Sequence, residues 1–222
     1  MRRRDKLITV AIDSPAAAGA GTQAKLISKN YKLFYLDTGK IYRYIGQLKL
    51  SNSKNFSYDL VKKKIYNLKL SFLDNKNLLT NEVATSASII AKDKKIRDIV
   101  HKFQQKCAYN PPKKYRGSVL DGRDIITVQM KDAMFKFYIT ANLKVRAERR
   151  YMELVRLNNK ISYSEVLKSI RNRDKTDKNR KHGPLKKTKN SILINTTKLS
   201  KKACFNKIKS IMDKKIKING NI

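Results

Sequence analysis

The sequence predicts an α/β protein: a parallel sheet of five short strands with helices on both faces. Three observations predict it. Short apolar runs recur along the chain, each too brief for a helix. Each run ends in a turn signal and is followed by a stretch of helical period. The chemically suggestive residues lie in the turns directly after those runs, where an open parallel sheet receives its ligands. A length of 222 residues suits one such domain with a small insertion.

The first run is Leu7 to Ile12 (LITVAI), read as a buried parallel strand that stops at Asp13-Ser14-Pro15. Gly19 to Tyr31 follows as a helix, with Ala24, Leu26 and Ile27 on its apolar side. Leu33 to Leu36 (LFYL) is the second strand. Asp37-Thr38-Gly39 is read as a break, after which Ile41 to Leu50 is helical. Strand, helix, strand and helix begin a βαβ unit. Residues 51 to about 82 change character, being polar and rich in Lys and Asn. They read as an inserted subdomain holding a hairpin from Leu68 to Leu79 that turns near Asp74-Asn75. Glu82 to Lys92 and Lys94 to Tyr109 are helical, and Pro111-Pro112 ends them. Ser118 to Leu120 and Phe135 to Thr140 are strands. Leu143 to Leu157 and Tyr163 to Lys175 are Arg-bearing helices. Ser191 to Asn195 is the last strand and Leu199 to Ile211 the last helix.

Composition narrows the class. A hydrophobic share of 41%, with seven Phe and eleven Tyr, argues against disorder. No apolar run approaches the roughly 20 residues of a membrane span. The Arg2 to Arg4 cluster leads into an apolar run too short for a signal-peptide core, and no suitable cleavage site follows it. A cytoplasmic location is expected. Cys107 and Cys204 lack metal or redox spacing and read as two buried thiols. The net charge of +35 fits an anionic substrate or nucleic acid. Lys, Asn and Ile are abundant together, as AT-rich coding produces, and the Lys residues spread along the whole chain. Generic attraction of anions is therefore expected at low salt, without a specific nucleic acid partner.

Four loops carry chemistry. Ala11 to Thr22 (AIDSPAAAGAGT) is a small-residue turn between a strand and a helix, which can surround a phosphate with backbone N–H groups. The phosphate-loop pattern GxxxxGK[ST] would place its first Gly at Ser14, its second at Gly19 and its Lys at Ala20. Read alone, the segment could equally be a structural connection. The second loop sets Asp37-Thr38-Gly39 ahead of Tyr42-Arg43, where an Arg one turn into a helix can fork onto a phosphate. The third, Asp121-Gly122-Arg123-Asp124, can grip a base or a phosphate, or can be a charged turn. The fourth, Arg171 to Arg180 (RNRDKTDKNR), can be a solvated basic helix end or a lid. Arg171 and Asp174 can share one helical face, and Arg173, Asp177 and Arg180 another.

Together these segments resemble the bacterial cytidylate (CMP/dCMP) kinases of the nucleoside monophosphate kinase branch of P-loop proteins. The matching stretches are AIDSPAAAGAGTQAK, FYLDTGKIYR, NEVATSAS with Ile96-Arg97, DGRDIITV and IRNRDKTDKNR, in the family's order. The resemblance implies phosphoryl transfer from ATP to CMP or dCMP with Mg²⁺, by a monomer with an inserted monophosphate-binding subdomain at about 51–82 and a lid at about 158–184. It implies donor binding by Ser14, Pro15, Ala16, Ala17, Ala18, Gly19, Ala20, Gly21 and Thr22, with Thr22 near the metal. Thr38, Arg43 and Arg123 would hold the acceptor phosphate, helped by Arg97 and Arg180, with Tyr42 beside them. Ser88, Arg97 and Asp124 would read cytosine, a carboxylate suiting its amino donor. Asp177 would hold the sugar hydroxyl. Arg123, Arg173 and Arg180 would act on the transferring group.

The sequence departs from the family at Ala20, where Lys is usual, and at Ser14 and Ala17, where Gly is usual. Three readings stay open: an enzyme using another cation (Lys25 on a different helix face, Lys40, or the lid Arg residues), a degenerate kinase that binds but transfers slowly, or a basic RNA-binding protein on a kinase scaffold. The intact acceptor and lid motifs favour the first.

Overall fold

In the computed structural model, which describes residues 7–157 and 160–218, the central strand β1 (Ile8–Asp13) is buried at all six positions. It pairs in parallel with β3 (Gly117–Gly122) on one side and β4 (Phe135–Thr140) on the other. A strand covered on both faces cannot alternate, which is why LITVAI reads as a continuous apolar run. β2 (Phe34–Asp37) pairs with β3, and β5 (Ile192–Asn195) with β4, giving the order β2-β3-β1-β4-β5. The chain leaves β1 toward β2 and β3 first and toward β4 and β5 later. That reversal opens a crevice at the carboxyl ends of β1 and β3.

Each face of the sheet carries its own core. On one, α1 (Ala20–Tyr31) and α8 (Lys201–Ile218) bury Ala24, Ile27, Ile208 and Met212 against Val10, Phe137 and Ile194. On the other, α2 (Thr38–Ser51), α3 (Tyr58–Tyr66), α4 (Asn81–Ile90) and α5 (Lys94–Tyr109) bury Ile41, Ile45, Val61, Ile96 and Val100 against Leu36 and Leu120. The pair α6 (Leu143–Arg156) and α7 (Tyr163–Asn179) packs through Ala147, Leu154, Val166 and Ile170.

Several sequence expectations need correction. The hairpin expected from Leu68 to Leu79 is absent; two 3-10 turns, Leu70–Asp74 and Lys76–Leu79, occupy the stretch. Leu73 and Leu78 are buried there among the helices, so tertiary packing overrode the alternating pattern. Asp37-Thr38-Gly39 is not a break: α2 starts at Thr38, and the Asp37 carboxylate accepts from Lys40 N at 3.2 Å as its N-cap. Helix α3 lies in the polar stretch and went unread. Its Ser57 cap and its short burial stripe, Val61 and Ile65, are a weak signal. Cys204 is buried, but Cys107 is only partly so; burial still pushes the Cys107 thiol up to about 11. The Arg2 to Arg4 cluster and residues 158 and 159 of the expected lid lie outside the described residues.

Candidate functional site

The loop Ser14 to Thr22 joins β1 to α1 at the crevice. Neighbouring elements hold it by its carbonyls and its strand end. Ser14 N donates to Gly122 O at 3.2 Å. Arg146 Nη1 donates to Ala16 O at 3.1 Å, and Thr196 Oγ1 donates to Ala18 O at 3.0 Å. Just before the loop, both oxygens of buried Asp13 accept backbone N–H groups, from Ile125 at 2.8 Å and Ile126 at 3.0 Å. Burial, and then the nearby Asp124 carboxylate, push the Asp13 carboxyl up to about 7. The loop's amides are left open: α1 starts at left-handed Gly19 with no side-chain cap, whereas α2 to α7 are all capped by side chains. Uncapped amides at a helix start suit an anion.

Two small residues make the loop unusual. Ala17 holds φ 58, a left-handed conformation that costs an L-residue on the order of 1 kcal/mol. Ala20, the first helical residue, offers only a methyl group where the pattern has Lys. Position 21, where the pattern has a hydroxyl, is Gly. A Cβ there would come within 3.4 Å of Tyr35 Oη and 3.5 Å of Asp121 Oδ2. The neighbouring hydroxyl is that of Thr22. Asp121 is buried with Oδ1 unpartnered, and burial together with Asp37 holds its carboxyl well above the usual range.

A cavity of about 540 Å³ has this whole loop as one wall. Arg43, Ser88, Arg123 and Arg173 are among the residues facing it. Arg43 Nη1 donates to Leu78 O at 2.7 Å. Arg150 also lines the cavity, donating to Leu79 O at 3.0 Å and to Glu153 at 2.9 Å. Arg173 is the least committed: its Nε has no hydrogen-bond partner, and its ion pair with Asp177 is 3.9 Å long. Burial and the adjacent Arg123 lower its guanidinium to about 9. Burial, and then Arg150, lower Arg43 to about 10. Both shifts come from burial and then from neighbouring positive charge, a field that an anion would relieve.

The remaining expected residues form a buried network beside the cavity. Arg123 Nε donates to Asp177 Oδ2 at 2.8 Å. Arg180 lies 3.7 Å from Asp177 and 3.5 Å from Asp124, whose other oxygen accepts from Arg97. Gly183, at φ +57, passes so close that a Cβ would collide with Arg97 and Asp124. The Tyr42 hydroxyl is buried without a partner, and burial pushes it up to about 12. Thr38 Oγ1 donates to Asp121 O at 2.7 Å, so its proton is already committed. Thr38, Tyr42, Arg97, Asp124, Asp177 and Arg180 therefore do not line the cavity wall, while Ser14 to Thr22, Arg43, Ser88, Arg123 and Arg173 do.

The helical-face reading of α7 holds for Arg173, Asp177 and Arg180 and fails for Arg171 and Asp174. Arg171 is exposed, and Asp174 pairs with Arg146 Nη2 at 2.6 Å. Arg146 thus ties the phosphate loop to α7. Sequence reading missed Arg146, Arg150, Tyr35 and Asp121 as site residues. Asp121 had a signal, being the first residue of the third loop; the two α6 arginines had none beyond their helix.

A divalent cation fits the acid end of the loop. Thr22 and Asp121 line the cavity together with Asp37, and Asp121 has an orphaned oxygen. Among the described residues no cluster of three or more His, Cys, Asp or Glu forms a metal centre. One or two protein ligands, with phosphates and water supplying the rest, is the coordination that suits a hard ion such as Mg²⁺.

Comparison with known proteins agrees with this geometry. Residues 10–214 match the family described as cytidylate kinase. A cytidylate kinase of Bartonella tribocorum is 40% identical over 217 residues, covering 96% of this chain and 98% of that protein. One from Clostridium botulinum is 37% identical over 217 residues, covering 92% and 97%. One from Thermosipho melanesiensis is 37% identical over 219 residues, covering 94% and 98%. A crystal structure of an uncharacterized protein from Eubacterium ventriosum superposes with a TM-score of 0.54 at 16% identity, covering 93% of this chain and 98% of that one; it supports the fold alone.

Proposed function

We infer the reaction from one premise, that this chain belongs to the cytidylate kinase family. It is a phosphotransferase that moves the terminal phosphoryl group of ATP to cytidylate, CMP or dCMP, giving the diphosphate. The observation that carries the reading is one cavity lined both by an uncapped phosphate loop and by the guanidinium groups of Arg43, Arg123 and Arg173. Neither the comparisons nor the cavity favours a pseudokinase or an RNA-binding scaffold.

We assign roles as follows. The loop of residues 14–22 takes the donor phosphates through the amides of residues 16–22, since Ser14 N–H is held by Gly122 O and Pro15 has none. Arg43 and Arg123 hold the acceptor phosphate so that its oxygen lies in line with the donor's terminal phosphorus. That oxygen forms the new P–O bond as the bond to the bridging oxygen breaks and ADP departs. Little covalent help is needed, so charge stabilisation and positioning carry the catalysis. Arg173, with little competing for it, follows the transferring group, and Arg180 supports it. Asp124, Arg97 and Ser88 read the cytosine edge, with Tyr42 alongside, and Asp177 takes a sugar hydroxyl. Thr38 orients the strand end by donating to Asp121 O, and its hydroxyl would have to give up that bond to donate to the acceptor phosphate. The metal we assign is Mg²⁺, which neutralises donor phosphate charge, with Thr22 and Asp121 as its protein contacts. Residues 51–82 serve as the acceptor-side insert and 158–184 as the lid, in a protein acting as a monomer.

The test is a coupled ADP-release assay with CMP, dCMP, UMP and AMP. CMP- or dCMP-dependent turnover well above the other two is expected. Turnover absent with all four would sink the reading.

A further inference from the structure

We propose that Lys40 supplies, at the donor phosphates, the ammonium that Ala20 cannot. The proposal rests on the kinase reading above. A phosphate loop of this type ordinarily brings one Lys from the first turn of α1 to the bound phosphates. Here that position is a buried methyl group, 5% exposed. Negative charge that grows between donor and acceptor still needs a cation on the donor side.

The arginines of the cavity are disposed toward the acceptor side, and Lys92, just after α4, lines it with Ser88, which is assigned to the acceptor base. Arg43 and Arg150 donate to the carbonyls of Leu78 and Leu79. Arg123 is held by Asp177 and by Gly122 O. Arg173 lines the cavity with them and feels the positive charge of Arg123, Arg43 and Arg150.

Lys40 is placed differently. It is the third residue of α2, fixed there by the Asp37 cap. It lines the same cavity as the loop. Its Nζ pairs with Asp74 Oδ1 at 2.8 Å. Asp74 in turn acts on Tyr35, whose hydroxyl flanks Gly21 beside Asp121. A chain of neighbours therefore leads from the Lys40 ammonium to the acid end of the phosphate loop. The Asp74 side chain is 79% exposed, and an ion pair with so exposed a partner is a weak hold. A donor triphosphate offers more negative charge, and the flexible four-carbon stem of Lys lets its ammonium swing across. Lys25 also acts on Asp74 and Asp121, but it is exposed on α1 and does not line the cavity.

The experiment is a cycle of Lys40→Met and Ala20→Lys, singly and together, with Lys25→Met as control. Lys40→Met should lower kcat by roughly 10²–10³-fold, the loss that follows removal of one transition-state charge donor. Ala20→Lys should return the Lys40→Met enzyme to within about tenfold of the native rate, a step of ~1.4 kcal/mol per tenfold. Alone it should raise the native rate far less than it raises that of the Lys40→Met enzyme, because the place is already served. Lys25→Met should be near native. A Lys40→Met enzyme within about threefold of native overturns the proposal. So does a loss that Ala20→Lys cannot rescue, since that marks a structural role, and so does a larger loss in Lys25→Met. If the native protein has no cytidylate-dependent turnover, the functional reading has failed instead. Calorimetry with MgATP then decides the Lys40 question: Lys40→Met must weaken binding and Ala20→Lys must restore it, or the proposal falls.

Discussion

The donor and acceptor sides of the cavity are built on different principles. The donor side is a backbone device. Its chemistry lies in open amides, and its side chains are small: Ala16, Ala17, Ala18, Ala20. What it needs is a conformation, which is imposed from outside by Gly122 O, Arg146, Thr196 and the strand end at Asp13. The acceptor side is a side-chain device, a chain of charges from Arg123 through Asp177, Arg180 and Asp124 to Arg97. Each member there satisfies the next. The difference teaches why one side can drift while the other cannot. A lost side chain in a loop of amides leaves the amides in place. A lost member of a buried charge chain strands its neighbours in low dielectric.

The largest break in that contrast should come from Asp124→Ala. It leaves Arg97 and Arg180 without their shared carboxylate and removes the acid assigned to cytosine. We expect kcat/KM for CMP to fall by on the order of 10⁴, as for a buried polar recognition site that loses its complement. MgATP affinity by calorimetry should stay near native. The urea midpoint should drop by the equivalent of ~3 kcal/mol, the usual result of unpairing a buried charge. A parallel fall in MgATP affinity would show that the two sides are not separable.

A smaller effect tests the hinge between them. Asp13 ends β1 and anchors the turn at Ile125 and Ile126, and its carboxyl is raised to about 7 by burial. A raised carboxyl favours the folded state most below its unfolded value near 4. That contribution is lost as pH climbs through about 7. The difference in urea midpoint between native protein and Asp13→Asn should therefore shrink from pH 5 to pH 8, because the variant lacks this titration. A difference independent of pH would mean that Asp13 is ionised throughout.

The smallest effect belongs to the loop itself. Ala17 sits at φ 58, so Ala17→Gly should raise stability by up to ~1 kcal/mol by removing left-handed strain. Turnover should not change, since the amides keep their positions. A marked loss of turnover would show that the Ala17 methyl group does more than tolerate its place.

Legibility in the sequence follows the same division. The strands were readable because LITVAI is the continuous apolar run of a strand buried on both faces, while FKFYIT alternates buried Phe135, Phe137 and Ile139 with half-buried Lys136, Tyr138 and Thr140. Arg43, Ser88, Arg123 and Arg173 were readable because each lies in or just beyond a loop at a strand's carboxyl end or in a helix with a specific motif. The 3-10 turns at Leu70–Asp74 and Lys76–Leu79 were not readable, since Leu73 and Leu78 are buried by helices distant in sequence. Asp174 was misassigned to Arg171 because helical spacing permits that pair, whereas the packing of α6 on α7 offers the better-buried Arg146.

The sequence by itself determined the parallel sheet, the order of the chemical loops and the family, because apolar period and turn chemistry are local properties of the chain. Only the tertiary structure decided which charge faces which: that Arg173 is held only by a long ion pair to Asp177, that Arg146 clamps the loop, and that Lys40 lines the same cavity as the loop while pairing with Asp74. Those pairings join residues tens of positions apart. Packing sets them, and burial gives them their strength.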